Sequence, residues 1–211
     1  MLFDNWKQDL HPLLDKYKGR KHPLAYQNTY QLLLMVLLSA QDSDANINAI
    51  SLPFFERYKN ITELSSATNA AIMPYLVTVK NYVNKTNWIV ELAKTLKTDE
   101  NIPTNLTDLT AIKGIGRKSA NVIIRELQKK AEGIIVDLHV IRVAPRIGLT
   151  LQYEDGNKIE KQLMDKLPYE MWNEIGMAFS FLGREICRPT NPQCSECPVN
   201  RICKYYTEKI N

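Results

Sequence analysis

Three groups of residues in this chain have the types and spacing for chemistry. Cys187, Cys194, Cys197 and Cys203 form a C-x6-C-x2-C-x5-C pattern within 17 residues. Four thiolates so close in sequence can enclose one metal centre, either a [4Fe–4S] cluster or a tetrahedral zinc ion. Zinc fingers usually pair two C-x2-C units and only one is present here, but general chemistry leaves both centres open. The second group is Lys118 with Asp137. A lysine is a nucleophile only as the free amine, so burial or neighbouring cations must favour that form. Arg117 and the positive end of the lysine's own helix both act in that direction. Such an amine can attack a sugar C1′, displace the base and leave a Schiff base, from which β-elimination cuts a strand. Asp137 stands where a helix should begin, so backbone N–H groups would hold it as a carboxylate. An anion there can stabilise positive charge developing on the sugar or assist deprotonation of the nucleophile. The plain alternative for the pair is an N-cap aspartate and a surface lysine.

The third group is Ile112-Lys113-Gly114-Ile115-Gly116-Arg117-Lys118-Ser119-Ala120-Asn121, read as a Gly-x-Gly hairpin between two helices. Its glycines allow a tight turn with positive φ and leave the backbone bare. Amide N–H groups at the turn, and at the helix start behind it, form a site for an anion. Lys113, Arg117 and Lys118 surround that site with positive charge, which suits a phosphate diester. An ordinary helix-to-helix turn with solvated lysines is the alternative.

The chain around these groups is ordinary globular protein by composition, with 45% hydrophobic and 24% charged residues in 211. Its formal charge of +4 is unevenly spread. Ala111 to Arg146 holds eight Lys/Arg against three acids, a net +5, so the remainder sums to −1. A basic segment centred on the hairpin is the footprint of a nucleic-acid surface, although a solvated helix face shows the same excess. Met1 to Arg20 carries charges throughout and has no signal-peptide core, and the longest apolar run, Leu32–Leu38, is seven residues. These features lead to the expectation of a soluble, cytoplasmic protein. All four cysteines lie in the last 25 residues, unlike a disulfide framework spread over a secreted domain.

The positioning elements read as helices throughout, so the fold class is all-α. One amphipathic helix is expected within residues 1–20, with Phe3, Trp6, Leu10, Leu13 and Leu14 near helical spacing. Tyr26 to Ser39 should be the central buried helix, followed by one capped from Asp42, Ser43 or Asp44. Further helical patterns cover 62–77, 83–97 and the segment before the hairpin. Lys118 to Lys130 should follow the hairpin with Ala120, Ile123, Ile124 and Leu127 on its apolar face. Ile134, Ile135 and Val136 form a buried approach to Asp137 and to a helix through Val140, Ile141 and Ala144. Helices at 157–166 and 169–186 lead to the cysteines.

Taken together, these residues resemble the endonuclease III family of helix-hairpin-helix DNA glycosylases. The matches are Leu37-Leu38-Ser39-Ala40-Gln41, then Gly114 through Val122, then Val136-Asp137-Leu138-His139-Val140-Ile141-Arg142-Val143, and finally the four cysteines. They span about residues 25 to 205. The resemblance implies a six-helix barrel at 23–131, with its helix-hairpin-helix motif at 110–125. It implies a cluster domain from 1–22 and 132–211, with the cluster loop at 187–203 and DNA bound in the groove between the domains. It also implies that Lys118 is the Schiff-base nucleophile, that Asp137 is the essential carboxylate and that the cysteines ligate a [4Fe–4S] cluster. DNA contact is implied for Lys113, Gly114, Ile115, Gly116, Arg117 and Ser119, with Gln41 filling the space of a flipped nucleotide. Flipping costs a few kcal/mol and least for a damaged pair, so it contributes to selectivity.

Two departures bear on substrate choice. Where the family has a Gly-hydrophobic-aromatic-Asn-x-Lys turn, this chain reads Lys80-Asn81-Tyr82-Val83-Asn84-Lys85, so Asn81 replaces an apolar wedge. Leu138 stands where threonine is common. The expected function is a monomeric base-excision glycosylase with AP lyase activity on oxidised pyrimidines in duplex DNA. The alternatives are a glycosylase of the same fold for uracil, mismatched bases or damaged purines, and a lesion-binding protein with weak turnover.

Overall fold

The computed structural model describes residues 5–152 and 154–210, and among them there is no strand. In chain order the helices are α1 (Trp6–Asp9), α2 (His11–Lys16), α3 (Thr29–Leu38), α4 (Asp44–Arg57), α5 (Ile61–Ser65), α6 (Asn69–Leu76) and α7 (Tyr82–Leu96). They continue with α8 (Leu106–Ala111), α9 (Arg117–Glu126), α10 (Leu138–Ile147), α11 (Gly156–Lys166), α12 (Trp172–Glu185) and α13 (Lys204–Ile210). Among the described residues no helix is long and apolar enough to cross a membrane. The chain divides into two compact units, one of Met1–Lys21 with Lys130–Asn211, the other of His22–Lys129.

In the His22–Lys129 unit, α3 is the core element. Every residue from Leu32 to Leu38 is buried, and α4, α7 and α9 pack around it. A helix apolar on all faces has no solvent side and must be enclosed. The unit made from both ends of the chain is built on α10 packed along α12, with α11 and α13 against α10 and α2 against α12. Gly183 allows this closeness, and Gly176 lets the segment before α10 lie against α12. A Cβ on Gly176 would lie 2.4 Å from the Ile135 carbonyl oxygen, and one on Gly183 would lie 2.7 Å from the His139 Cβ. The segment Ile134–Val136 is buried but not helical.

Three expectations change. The N-terminal helix is two short helices meeting at Leu10, because Pro12 has no N–H to continue the ladder; Phe3 lies outside the described residues. The 62–77 pattern is also two helices, because Thr68 accepts from the amide of Ala71 and starts α6 afresh. The helix after the hairpin ends at Glu126, not Lys130. Gln128 takes a left-handed φ of 55°, and the amides of Gln128 and Lys129 close on the carbonyls of Arg125 and Ile124. That is a Schellman ending with Gln in the place glycine usually holds.

Side-chain caps begin most of these helices. Asn5, Asn28, Ser43, Asn60, Thr68, Asn105, Asp137 and Asp155 each accept from a first-turn amide. Helices α7 and α9 start instead at Asn81 and Gly116, with no side-chain cap.

Candidate nucleic-acid interface

The two glycines of the hairpin have different causes. Gly114 has φ 89°, and a Cβ there would sit 2.6 Å from Trp88 Cε3 and 3.5 Å from Leu37 Cγ. Both the backbone and the packing therefore require glycine at 114. Gly116 has φ −89° and ψ 175°, extended backbone that any residue adopts, and a Cβ there would meet nothing within 4 Å. The expectation of positive φ thus holds for Gly114 and fails for Gly116. Between them Ile115 is buried, and its amide donates to the Ile112 carbonyl at 3.0 Å, so its side chain anchors the tip inward. What the hairpin offers outward is backbone: an exposed, side-chain-free Gly116 at the uncapped start of α9. The first amides of any helix lack intrahelical acceptors and carry the positive end of its dipole. Arg117 is exposed, and Lys118 and Ser119 are half-buried on the same first turn. The Lys113 ammonium does not stand alone: both carboxylate oxygens of Glu91 accept from it at 2.9 Å.

Gln41 and Asn81 lie on two loops that are tied together. Both are exposed and both take left-handed backbone, at φ 61° and 60°. Lys85 is buried, and its ammonium donates to the carbonyls of Leu38 and Ala40 at 2.7 Å each. Asp42 accepts from the amide of Lys80 at 2.8 Å and from the amide of Ser43 at 2.8 Å. Burial opposes ionisation of Asp42, but these amides and the Asn46 side chain outweigh it and hold the carboxyl below the usual carboxylate range. Burial likewise lowers the proton affinity of Lys85. The Asn81 side-chain oxygen accepts from Asn84 Nδ2 at 2.8 Å, so Asn81 is braced from within its own turn.

In the other unit, Asp137 caps α10. One of its oxygens accepts from the amides of His139 and Val140 at 2.9 Å each, and the other accepts from the hydroxyl of fully buried Ser180 on α12 at 2.6 Å. Three donors fix the plane of this half-buried carboxyl. Beside it, Leu138 is 79% exposed.

The four cysteines of that unit line one small cavity, walled by Ile147, Leu182, Ile186 and Pro192. Among the described residues no three His, Cys, Asp or Glu side chains converge as ligands of a single metal ion. Burial pushes the Cys197 thiol up to about 11 and raises that of Cys203, with the neighbouring sulfurs adding to the effect. Thiolates gathered here need a cationic centre to stabilise them. Arg146, in the last turn of α10, donates to the Cys187 sulfur at 3.5 Å and to the carbonyls of Arg188 and Pro189. Arg142 holds the Cys187 carbonyl at 3.0 Å. Cys187, Cys194, Cys197 and Cys203 are the residues here that could serve as ligands of such a centre.

Comparison with known proteins places these features in one family. The sequence pattern of the HhH-GPD superfamily of base-excision DNA repair proteins matches residues 34–169, from α3 through the hairpin and Asp137. The chain belongs to this superfamily. Endonuclease III of Rickettsia felis is 32% identical over 196 residues, covering 90% of this chain and 89% of the relative. Endonuclease III of Bacillus subtilis is 30% identical over 192 residues, covering 90% and 87%. Among solved structures, a trapped covalent intermediate of an endonuclease III with DNA is 28% identical and covers 100% of both chains, with a TM-score of 0.87.

Sequence reasoning on this HhH-GPD protein passed over several residues that build the site. Ser180 orients Asp137 from far along the chain, and no local pattern marks it. Lys85 belongs to the 80–85 turn, but its acceptors are on another loop. Glu91 and Trp88 meet the hairpin from one face of α7, where they read as unremarkable helix residues.

Proposed function

We propose that this HhH-GPD protein is a bifunctional DNA glycosylase and AP lyase that removes oxidised pyrimidines from duplex DNA through a lysine Schiff base. The observation that carries the reading is the hairpin. Lys118 stands on the first turn of a helix whose start is uncapped and whose Gly116 is bare for no reason of internal packing. An amine there sits beside a ready-made phosphate site. The backbone of Gly114, Ile115 and Gly116, with Lys113, Arg117 and Ser119 around it, holds the DNA backbone. Such contacts fix register and carry no sequence information. Gln41 and Asn81, on their bound pair of loops, occupy the stack when the damaged nucleotide leaves it, at a cost of about a few kcal/mol.

The chemistry follows from the residues. The Lys118 amine forms a bond to C1′ as the glycosidic C–N bond breaks, and the departing base takes up a proton. The ring opens to an imine between Lys118 and the sugar. Loss of a C2′ proton then expels the 3′ phosphate by β-elimination, and water releases the lysine. Asp137, oriented by Ser180 and two amides, is the carboxylate assigned to stabilising the sugar as positive charge develops.

The four cysteines hold a [4Fe–4S] cluster. A zinc tetrahedron, with Zn–S of about 2.3 Å, draws its sulfurs nearly into contact. Four thiols on one cavity supply one ligand for each iron of the cube. When bound, the cluster cross-links the loop to α12 and α13 and plays no part in the steps above. The test is base release and strand scission on duplexes carrying dihydrouracil or thymine glycol, with the visible spectrum of the purified protein recorded alongside. Free base with a β-elimination end, from a coloured protein, is expected. Intact duplex after prolonged incubation would refute the enzyme, and a colourless cysteine centre containing zinc would refute the cluster.

A further inference from the structure

We propose that Glu91 is a positioning residue that acts through Lys113 as an electrostatic brake on the hairpin's grip of DNA phosphate. The inference rests on the reading of the hairpin as the phosphate site. Lys113 opens the hairpin, immediately before Gly114. Its ammonium is engaged at 2.9 Å by each oxygen of the Glu91 carboxylate, which projects from α7. The pair spans 22 residues of sequence and so is not a local helix pair. It stands on the rim of a cavity of about 390 Å³ lined by Trp88, Leu92, Leu96 and Pro103.

Both partners remain open to water, with side-chain exposures of 64% for Lys113 and 54% for Glu91. An ion pair this exposed contributes little to folding. Its effect falls instead on whatever charge approaches the hairpin. Without Glu91, the Lys113 ammonium would meet a phosphate with its charge unopposed by that carboxylate. With Glu91, its charge is neutralised, and an acid stands beside a surface that must attract an anion. Phosphate attraction is independent of sequence, so restraining it lowers affinity for undamaged and damaged duplex alike. It also shortens the residence of this protein on DNA that carries no lesion.

The experiment measures fluorescence anisotropy on a duplex bearing a tetrahydrofuran abasic analogue, which cannot form the Schiff base. Wild type, Glu91→Gln, Glu91→Asp, Lys113→Gln and the Glu91→Gln/Lys113→Gln double variant are compared over a salt series. Glu91→Gln should bind about three- to fivefold tighter at about 50 mM salt, with the gain fading as salt screens the charge. Its slope of log K against log salt should steepen by about 0.9, the release of one more counterion. Glu91→Asp should resemble wild type, and in the Lys113→Gln background the gain should fall below about twofold. An unchanged or weakened affinity for Glu91→Gln, or an equal gain with and without Lys113, would overturn the proposal. Gly116→Ser on the same duplex separates the two ideas. If it binds as wild type while the Glu91 cycle behaves as stated, the hairpin reading fails and the coupling of Glu91 to Lys113 stands.

Discussion

Replacing each hairpin glycine in turn should separate a glycine required by folding from one required by DNA. Gly114→Ala places a Cβ at φ 89° and 2.6 Å from the Trp88 ring. A side chain in the left-handed region costs about 1–2 kcal/mol. Displacing the half-buried indole costs about 1–3 kcal/mol more. The sum is roughly 2–5 kcal/mol, and at about 2–4 °C per kcal/mol for a chain of this size, melting falls by roughly 10 °C. Gly116→Ser meets no atom within 4 Å and retains the φ of −89° that N-cap residues adopt. Serine is a better N-cap than glycine by a few tenths of a kcal/mol, so its thermal transition should stay level or rise slightly. The same hydroxyl then occupies the amides intended for phosphate. Losing one charge-assisted hydrogen bond costs about 1.5–3 kcal/mol, or about 10- to 100-fold in affinity. Calorimetry and anisotropy on an undamaged and a lesion-bearing duplex give both numbers. The reasoning is refuted if Gly116→Ser unfolds as early as Gly114→Ala, or if it keeps wild-type affinity for DNA.

Two further outcomes follow from the polar contacts. Ser180→Ala removes the donor on one Asp137 oxygen and should cost about 1–3 kcal/mol, with single-turnover excision slowed and duplex affinity unchanged; calorimetry with excision kinetics checks it, and a wild-type melting curve with a wild-type rate would contradict it. Asp42, whose folded carboxyl is held below its unfolded value near about 3.9, contributes stability that is complete above that value and lost as pH falls through the lower folded one. Denaturation of wild type and Asp42→Asn between about pH 5 and 2 should converge with acid, whereas parallel curves would remove Asp42 as the clasp between its loops.

Much of the fold was legible because its signals are local. The all-apolar Leu32–Leu38 run marks a buried helix, Ser43 and Asp137 are helix caps within one turn of what they cap, and two spaced glycines mark the hairpin. What escaped was set by distant partners. The difference between Gly114 and Gly116 depends on Trp88, and the orientation of Asp137 depends on Ser180. Nothing local to the 80–85 turn tells that Lys85 is buried, because the carbonyls that draw it inside, those of Leu38 and Ala40, are far along the chain. Helix ends went wrong where a single residue reset the ladder, as at Pro12, Thr68 and Gln128. Periodicity reports the face a helix buries, but the cap chemistry decides where it stops.

The central claim is that Lys118 is the nucleophile of a glycosylase acting on oxidised pyrimidines. Borohydride reduction during reaction tests it most directly, on duplexes bearing thymine glycol, dihydrouracil, uracil or an abasic site, with wild type and Lys118→Ala side by side. The account predicts a covalent protein–DNA adduct on the two oxidised pyrimidines and the abasic site, absent in Lys118→Ala, with the modified peptide mapping to Lys118. An adduct that persists in Lys118→Ala, or none on any duplex with wild type, would contradict it.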